Sequence, residues 1–194
     1  MKKWMQLLIL VASVTSTGTL LANGTGSSSY GDEERGEEHS DEKYRRSNVE
    51  RASGILPQVS NAKWKAECGG SCHMLYHPAL LPERSWVKMM AGLDKHFGEN
   101  AELDAATRDE ITRFLSANSS DKMNDRRSRR INQSITPGEE PLRFTETEYF
   151  DARHDDISAA TYKRKSIGSP SNCVACHPKA EQGDYSENKV KIPR

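Results

Sequence analysis

Two short stretches constrain this chain more than any other feature: Cys68-Gly69-Gly70-Ser71-Cys72-His73 and Cys173-Val174-Ala175-Cys176-His177. In each, a histidine directly follows the second of two close cysteines. The second stretch is C-x-x-C-H, the pattern by which a chain holds a covalent haem. Its logic is geometric: two sulfurs bond one edge of a flat group while the adjacent imidazole turns beneath it toward the iron. Other readings of four paired cysteines are a structural zinc site, two disulfides, or a thiol redox centre with a depressed pKa. None of these accounts for the histidine that follows in both units.

The first unit carries one residue more between its sulfurs. Gly69-Gly70 is the pair best suited to bulge there, because glycine tolerates φ > 0 and close backbone approach. The sequence therefore predicts a haem at each unit, attached through Cys173 and Cys176 at the second and through Cys68 and Cys72, or Cys72 alone, at the first, with His73 and His177 as proximal iron ligands.

The start of the chain reads as an export signal over residues 1–22. Lys2 and Lys3 are followed by an apolar run from Leu7 to Val14, too short to span a bilayer, and by small Ala22 as the cleavage point. No cysteine near that point could take a lipid, so an exported chain without a permanent membrane anchor is expected. Removal of residues 1–22 takes two positive charges from a chain of net charge zero and leaves about −2. In an oxidising compartment the four cysteines must be bridged, metal-bound or alkylated. A chain of zero net charge lacks the basic footprint of a nucleic-acid binder.

Hydrophobic residues make up 35% of the chain, against ~45–50% in globular chains on a count that includes glycine. Two consequences are expected: part of the chain is disordered, and a non-protein group supplies apolar surface. Residues 23–54 form a polar, acidic leader with too little apolar surface to offset ordering entropy, and His39 within it has no assigned role. Order is expected to begin between Ile55 and Trp64.

Beyond the leader the pattern is helical. Pro82 and Glu83 open a helix that Gly98 closes, with Trp86, Met89, Met90, Leu93, His96 and Phe97 on one stripe. A second helix covers about Asp104–Ala117. Residues 118–141 read as a polar loop whose Arg126, Arg127, Arg129 and Arg130 are either a solvated surface or an anion-pairing cluster. The capping box Thr145-Glu146-Thr147-Glu148 opens a helix through Phe150 and His154. Ser169-Pro170-Ser171-Asn172 then caps a short helix bearing the second unit.

The tail after His177 holds neither histidine nor methionine. The second haem must therefore draw its distal ligand from upstream, and the two parts of the chain must fold together. His96 and His154 have the positions of inward-facing histidines. Met74, Met89, Met90 and Met123 are the alternatives, of which Met89 and Met90 fit helix packing. His77 lies too close to His73 to reach the opposite face of the same plate and is expected as a surface or supporting residue.

The segments "ECGGSCHMLYHPALLPERSW", "HFGENAELD", "PLRFTETEYFDARH" and "GSPSNCVACHPKAEQGDYSENKVKIPR", occurring in that order, resemble the small dihaem cytochrome c family of proteobacteria over roughly residues 60–194. The chain departs from that pattern at Gly69-Gly70, where the family has one residue fewer. The resemblance implies a mainly α, small cytochrome c-like fold organised around two c-type haems with long irregular segments. The folded part is expected to comprise a first haem-binding half, 55–120, and a second, 121–194, within one compact unit. The resemblance further implies a periplasmic carrier of single electrons, not an enzyme, with His96 and His154 as distal iron ligands. The implied partners are a monohaem oxygen-binding cytochrome of the sphaeroides haem protein type and a membrane b-type cytochrome. Propionate charge would be offset by Arg143 and part of the Arg126–Arg130 cluster. The rival reading is a haem enzyme or gas- or peroxide-binding protein with one distal position open.

Overall fold

Asn61 starts the first helix: its side chain accepts from the Trp64 amide at 2.8 Å and also donates to Glu110. The structure, a computed structural model, describes residues 54–70 and 72–194. The expected export signal and all but the last residue of the polar leader lie outside the described residues, as does Ser71. The described chain falls within a single compact unit.

Six short α-helices carry it: α1 (Ala62–Cys68), α2 (Glu83–Ala91), α3 (Ala105–Ala117), α4 (Arg126–Gln133), α5 (Glu148–Arg153) and α6 (Ala159–Tyr162). Turns of 3-10 helix join them, and no strand forms among the described residues beyond isolated bridges. Local side chains cap most of these helices. Asp104, Asp125, Thr147 and Ser158 each accept from a first-turn amide, satisfying donors that a helix start leaves open.

Two small cores form. In the first, α1, α2 and α3 bury Trp64, Leu75, Leu81, Trp86, Met90, Leu93, Ile111 and Leu115, and Trp86 satisfies its indole N–H on the Pro78 carbonyl at 2.7 Å. The second gathers Leu56, Ala79, Leu80, Ile131 and Ile135, with Tyr76, Phe144, Tyr149 and Tyr185 packed against them. It joins the two ends of the described chain. The Leu56 amide donates to Gly183 O and the Tyr185 amide to Gly54 O, both at 2.8 Å. The two haem-attachment segments are tied together as well: Tyr76 Oη donates to Ser171 O at 2.7 Å, and the Leu75 amide to Glu181 Oε1 at 3.0 Å.

Several local expectations are corrected. The helix from Glu83 does not run to Gly98; it stops at Ala91, with Gly92 as its cap. A 3-10 turn over Leu93–Lys95 follows, then Phe97 at φ 52 and Gly98 at φ 101. Two consecutive left-handed residues cannot continue an α-helix, and the chain folds back so that the Ala101 amide reaches Leu93 O at 2.8 Å. Residues 118–141 are not a continuous loop, because they contain α4, anchored by buried Ile131. The cap of α5 is Thr147, not Thr145, and His154 closes that helix rather than lying within it. The second Cys-Cys-His unit is a 3-10 turn, and Asn172 donates its side-chain amide to Ile167 O instead of capping it. His77 is not a surface residue: it is 4% exposed.

Candidate functional site

Each Cys-Cys-His unit meets a histidine from another segment. His73 follows the first unit, and the fold-back after Leu93 carries His96 to it, with ring centres 6.1 Å apart. His154, at the end of α5, faces His177 at 6.2 Å. Two imidazoles on opposite faces of one metal, each bonded at about 2 Å, hold their ring centres roughly 6 Å apart. Both pairs therefore have the ring separation that one metal between them requires.

Hydrogen bonds set the ring nitrogens. His73 Nδ1 lies 2.7 Å from the Met74 carbonyl, and His154 Nδ1 lies 2.9 Å from the Phe150 carbonyl. A carbonyl only accepts, so Nδ1 is the donor in each and Nε2 is the nitrogen left for a metal. This is the arrangement that metal-bound histidines ordinarily show. Burial is the main cause that lowers the pKa of His96, with the charges of His73 and Arg143 adding to it. Burial likewise pushes His177 down to about 4, reinforced by His154 and Arg127 and opposed by Asp184. Both rings are then neutral near pH 7, as a metal ligand must be.

His77 differs. Its Nε2 donates to Pro57 O at 2.8 Å and its Nδ1 accepts from the Ala79 amide at 3.1 Å, so both nitrogens are occupied by the backbone. It is a structural anchor. Met90 is buried in the first core, and Met89 packs against it.

Among the cysteines, Cys68 ends α1 against the first core, Cys72 is exposed, and Cys173 and Cys176 are half-buried. The His177 amide donates to Cys173 O at 2.7 Å, a tight turn that sets both sulfurs and the imidazole on one short arc. Burial raises Cys68 to about 11, helped by Glu67, and Cys173 to about 11, where Cys176 adds and a backbone hydrogen bond opposes. Cys176 is raised by burial too, against Arg164. These directions oppose the thiol redox reading, which needs a depressed pKa. The zinc reading lacks its ligand cluster: among the described residues no three of His, Cys, Asp and Glu converge on a metal position.

Both glycines of the first unit occupy positions that a side chain would strain. Gly70 adopts φ 135, and a Cβ on Gly69 would stand 2.8 Å from Lys65 O. Beside His96 lies Phe97, 46% exposed, its ring centre 4.8 Å away. The Arg143 guanidinium covers that ring at 4.0 Å and reaches Glu146 at 3.4 Å.

The second site opens on a cavity of about 490 Å³ whose wall includes Ile131, Phe150, His154, Cys173, Cys176 and His177. That size suits a bound organic group. Phe150 stacks on His154 at 4.2 Å, and Tyr185 stands 5.5 Å from His177. The hydroxyls of Tyr162 and Tyr185, also on this wall, are buried without a hydrogen-bond partner. Paired histidines, two thiols and a mostly apolar wall with open polar atoms together fit a haem.

A family model described as dihaem cytochrome c matches residues 64–185, a span that holds the cysteines and paired histidines of both sites. No curated protein is a significant match. Among solved structures, the diheme cytochrome c from Rhodobacter sphaeroides is 39% identical, covering 67% of this chain and all of its own, with a TM-score of 0.59. The new diheme cytochrome type c from Shewanella baltica is 34% identical, covering 71% of this chain and 95% of its own, with a TM-score of 0.56.

Proposed function

The chain belongs to the dihaem cytochrome c family, and from that premise we propose that it is a periplasmic carrier of single electrons whose two irons are each closed by two histidines. Two c-type haems are the cofactors of this family, and they supply one-electron exchange between ferric and ferrous iron. Everything else falls to the protein. Cys68 and Cys72 hold the first group and Cys173 and Cys176 the second. His73 and His96 close one iron, and His154 and His177 the other. Arg143 pairs with a propionate at the first site. The observation that carries this reading is the near-identical separation of the two histidine pairs, 6.1 and 6.2 Å.

Closed axial positions leave no place for substrate or gas, and they favour electron transfer over oxygen or peroxide chemistry. The ties between Tyr76 and Ser171 and between Leu75 and Glu181 hold the two attachment segments adjacent, which supports exchange between the sites. The export signal expected over residues 1–22 supports the periplasmic assignment, and among the described residues no helix is long and apolar enough to cross a membrane. The proposed partners are a monohaem oxygen-binding cytochrome of the sphaeroides haem protein type and a membrane b-type cytochrome.

Carbon monoxide added to the reduced protein tests the reading. No change in the visible spectrum is expected. Tight, stoichiometric binding at either haem would favour an enzyme or gas-binding protein with an open distal position.

A further inference from the structure

The second cavity carries polar groups that neither the core nor the histidine pair uses. Helix register selects one arginine of the Arg126–Arg130 cluster. Ile131 is the buried anchor of α4, and Arg127, four residues before it, lies on the same face. Arg127 is accordingly half-buried while Arg126, Arg129 and Arg130 are exposed, and Arg127 and Ile131 both line the cavity.

The guanidinium of Arg127 stands 6.0 Å over the ring of Tyr185. Arg153, also on the cavity wall, is paired with Glu187, whereas among the described residues no carboxylate pairs with Arg127. Tyr185 Oη is buried and unpartnered on the same wall. A half-buried cation and a buried hydroxyl, both left open, are unfavourable unless an acceptor completes them. A carboxylate accepts from both, and from arginine in bidentate fashion.

The first site shows the same order of groups: Arg143 over Phe97 at 4.0 Å, and Phe97 beside His96 at 4.8 Å. At the second site Arg127 covers Tyr185, and Tyr185 stands beside His177. Each site thus stacks an arginine on an aromatic ring next to one of its histidines.

We propose that Arg127 and Tyr185 form a carboxylate-binding corner of the second cavity, and that its occupant is a propionate of the haem held by Cys173 and Cys176. This rests on the two-haem reading above. Arg127 is a binding residue for the cofactor, and its positive charge favours the reduced state of that haem.

The test uses the full chain, matured in a host that attaches c-type haem, as wild type, R127Q, R127K and R130Q. Haem content is measured by pyridine haemochrome and both midpoint potentials by spectroscopic redox titration. R127Q should lower one midpoint and leave the other in place. R127K, which keeps the charge, should shift it less, and R130Q should match wild type. Loss of one haem in R127Q that R127K restores supports the assignment equally. Unchanged midpoints and haem content in R127Q would overturn it, as would an equal shift in R130Q or loss of haem from both Arg127 variants. A wild type carrying fewer than two haems would overturn the underlying reading instead, before any variant is compared.

Discussion

The ring of His73 lies 6.1 Å from that of His96, and the ring of His154 lies 6.2 Å from that of His177. The ring pairing is local to each attachment unit, so under the proposed ligation each distal histidine serves the haem of its own unit. Replacing His96 with Ala should therefore open only the haem held by Cys68 and Cys72, and His154→Ala only the other. In each variant the reduced protein is expected to bind carbon monoxide at a single haem, whereas the wild type binds none. Two sites opened by one substitution would contradict the pairing.

Arg143 stacks on Phe97 beside His96. Arg143→Gln removes a positive charge next to the first haem and should lower one midpoint, a different one from that moved by R127Q. The double variant should show both shifts, since each acts at its own site. A redox titration with no movement in Arg143→Gln would remove that residue from the account.

His77 gives a pH dependence of stability. Burial lowers its pKa below the ordinary 6.5, against the Pro57 carbonyl and the charge of Asp125, which favour protonation. The unfolded chain therefore binds the proton more readily. The contribution of neutral His77 is fully present above pH 6.5 and is lost as pH falls through the folded-state value. His77→Ala leaves Ala79 N–H and Pro57 C=O without their partner and should cost about 1–3 kcal/mol at neutral pH. Urea unfolding of both proteins should show that gap narrowing as the solution is acidified; a constant gap would contradict it.

Gly183 sits at φ 72 where the chain ends meet. A Cβ there would stand 3.2 Å from Leu56 Cβ and 3.3 Å from His77 Cδ2. Gly183→Ala should destabilise by about 1–2 kcal/mol from the left-handed backbone alone. At Ile131, fully buried in the second core and on the wall of the second cavity, substitution by Ala should cost about 2–5 kcal/mol. Thermal unfolding of the holoproteins checks both.

Much of this site was legible because its chemistry lies in fixed short spacings. The Cys-Cys-His units and the singling out of His96 and His154 follow from residue types and spacing, and the structure brings each of those two histidines to the histidine of one unit. The helix over Ala105–Ala117 follows equally well, from Asp104 as cap and Ile111 and Leu115 in one stripe. Longer-range decisions were not legible. A continuous helix would have kept His96 on the Leu93 stripe, but Phe97 takes a left-handed turn that no local preference of phenylalanine favours. Helix α4 was hidden because only Ile131 marks its buried face among arginines, although Asp125 three residues before Ser128 and the Ile131–Ile135 spacing were available signals. His77 read as peripheral because its partners, Pro57 and Ala79, flank it on both sides, and Pro57 reaches it only when the chain ends pair.

The most direct test of the central claim is anomalous diffraction at the iron edge from crystals of the holoprotein. Two iron peaks are predicted, one between the rings of His73 and His96 and one between those of His154 and His177. A single peak, or an iron whose second axial position holds a methionine, water or nothing, would contradict the account.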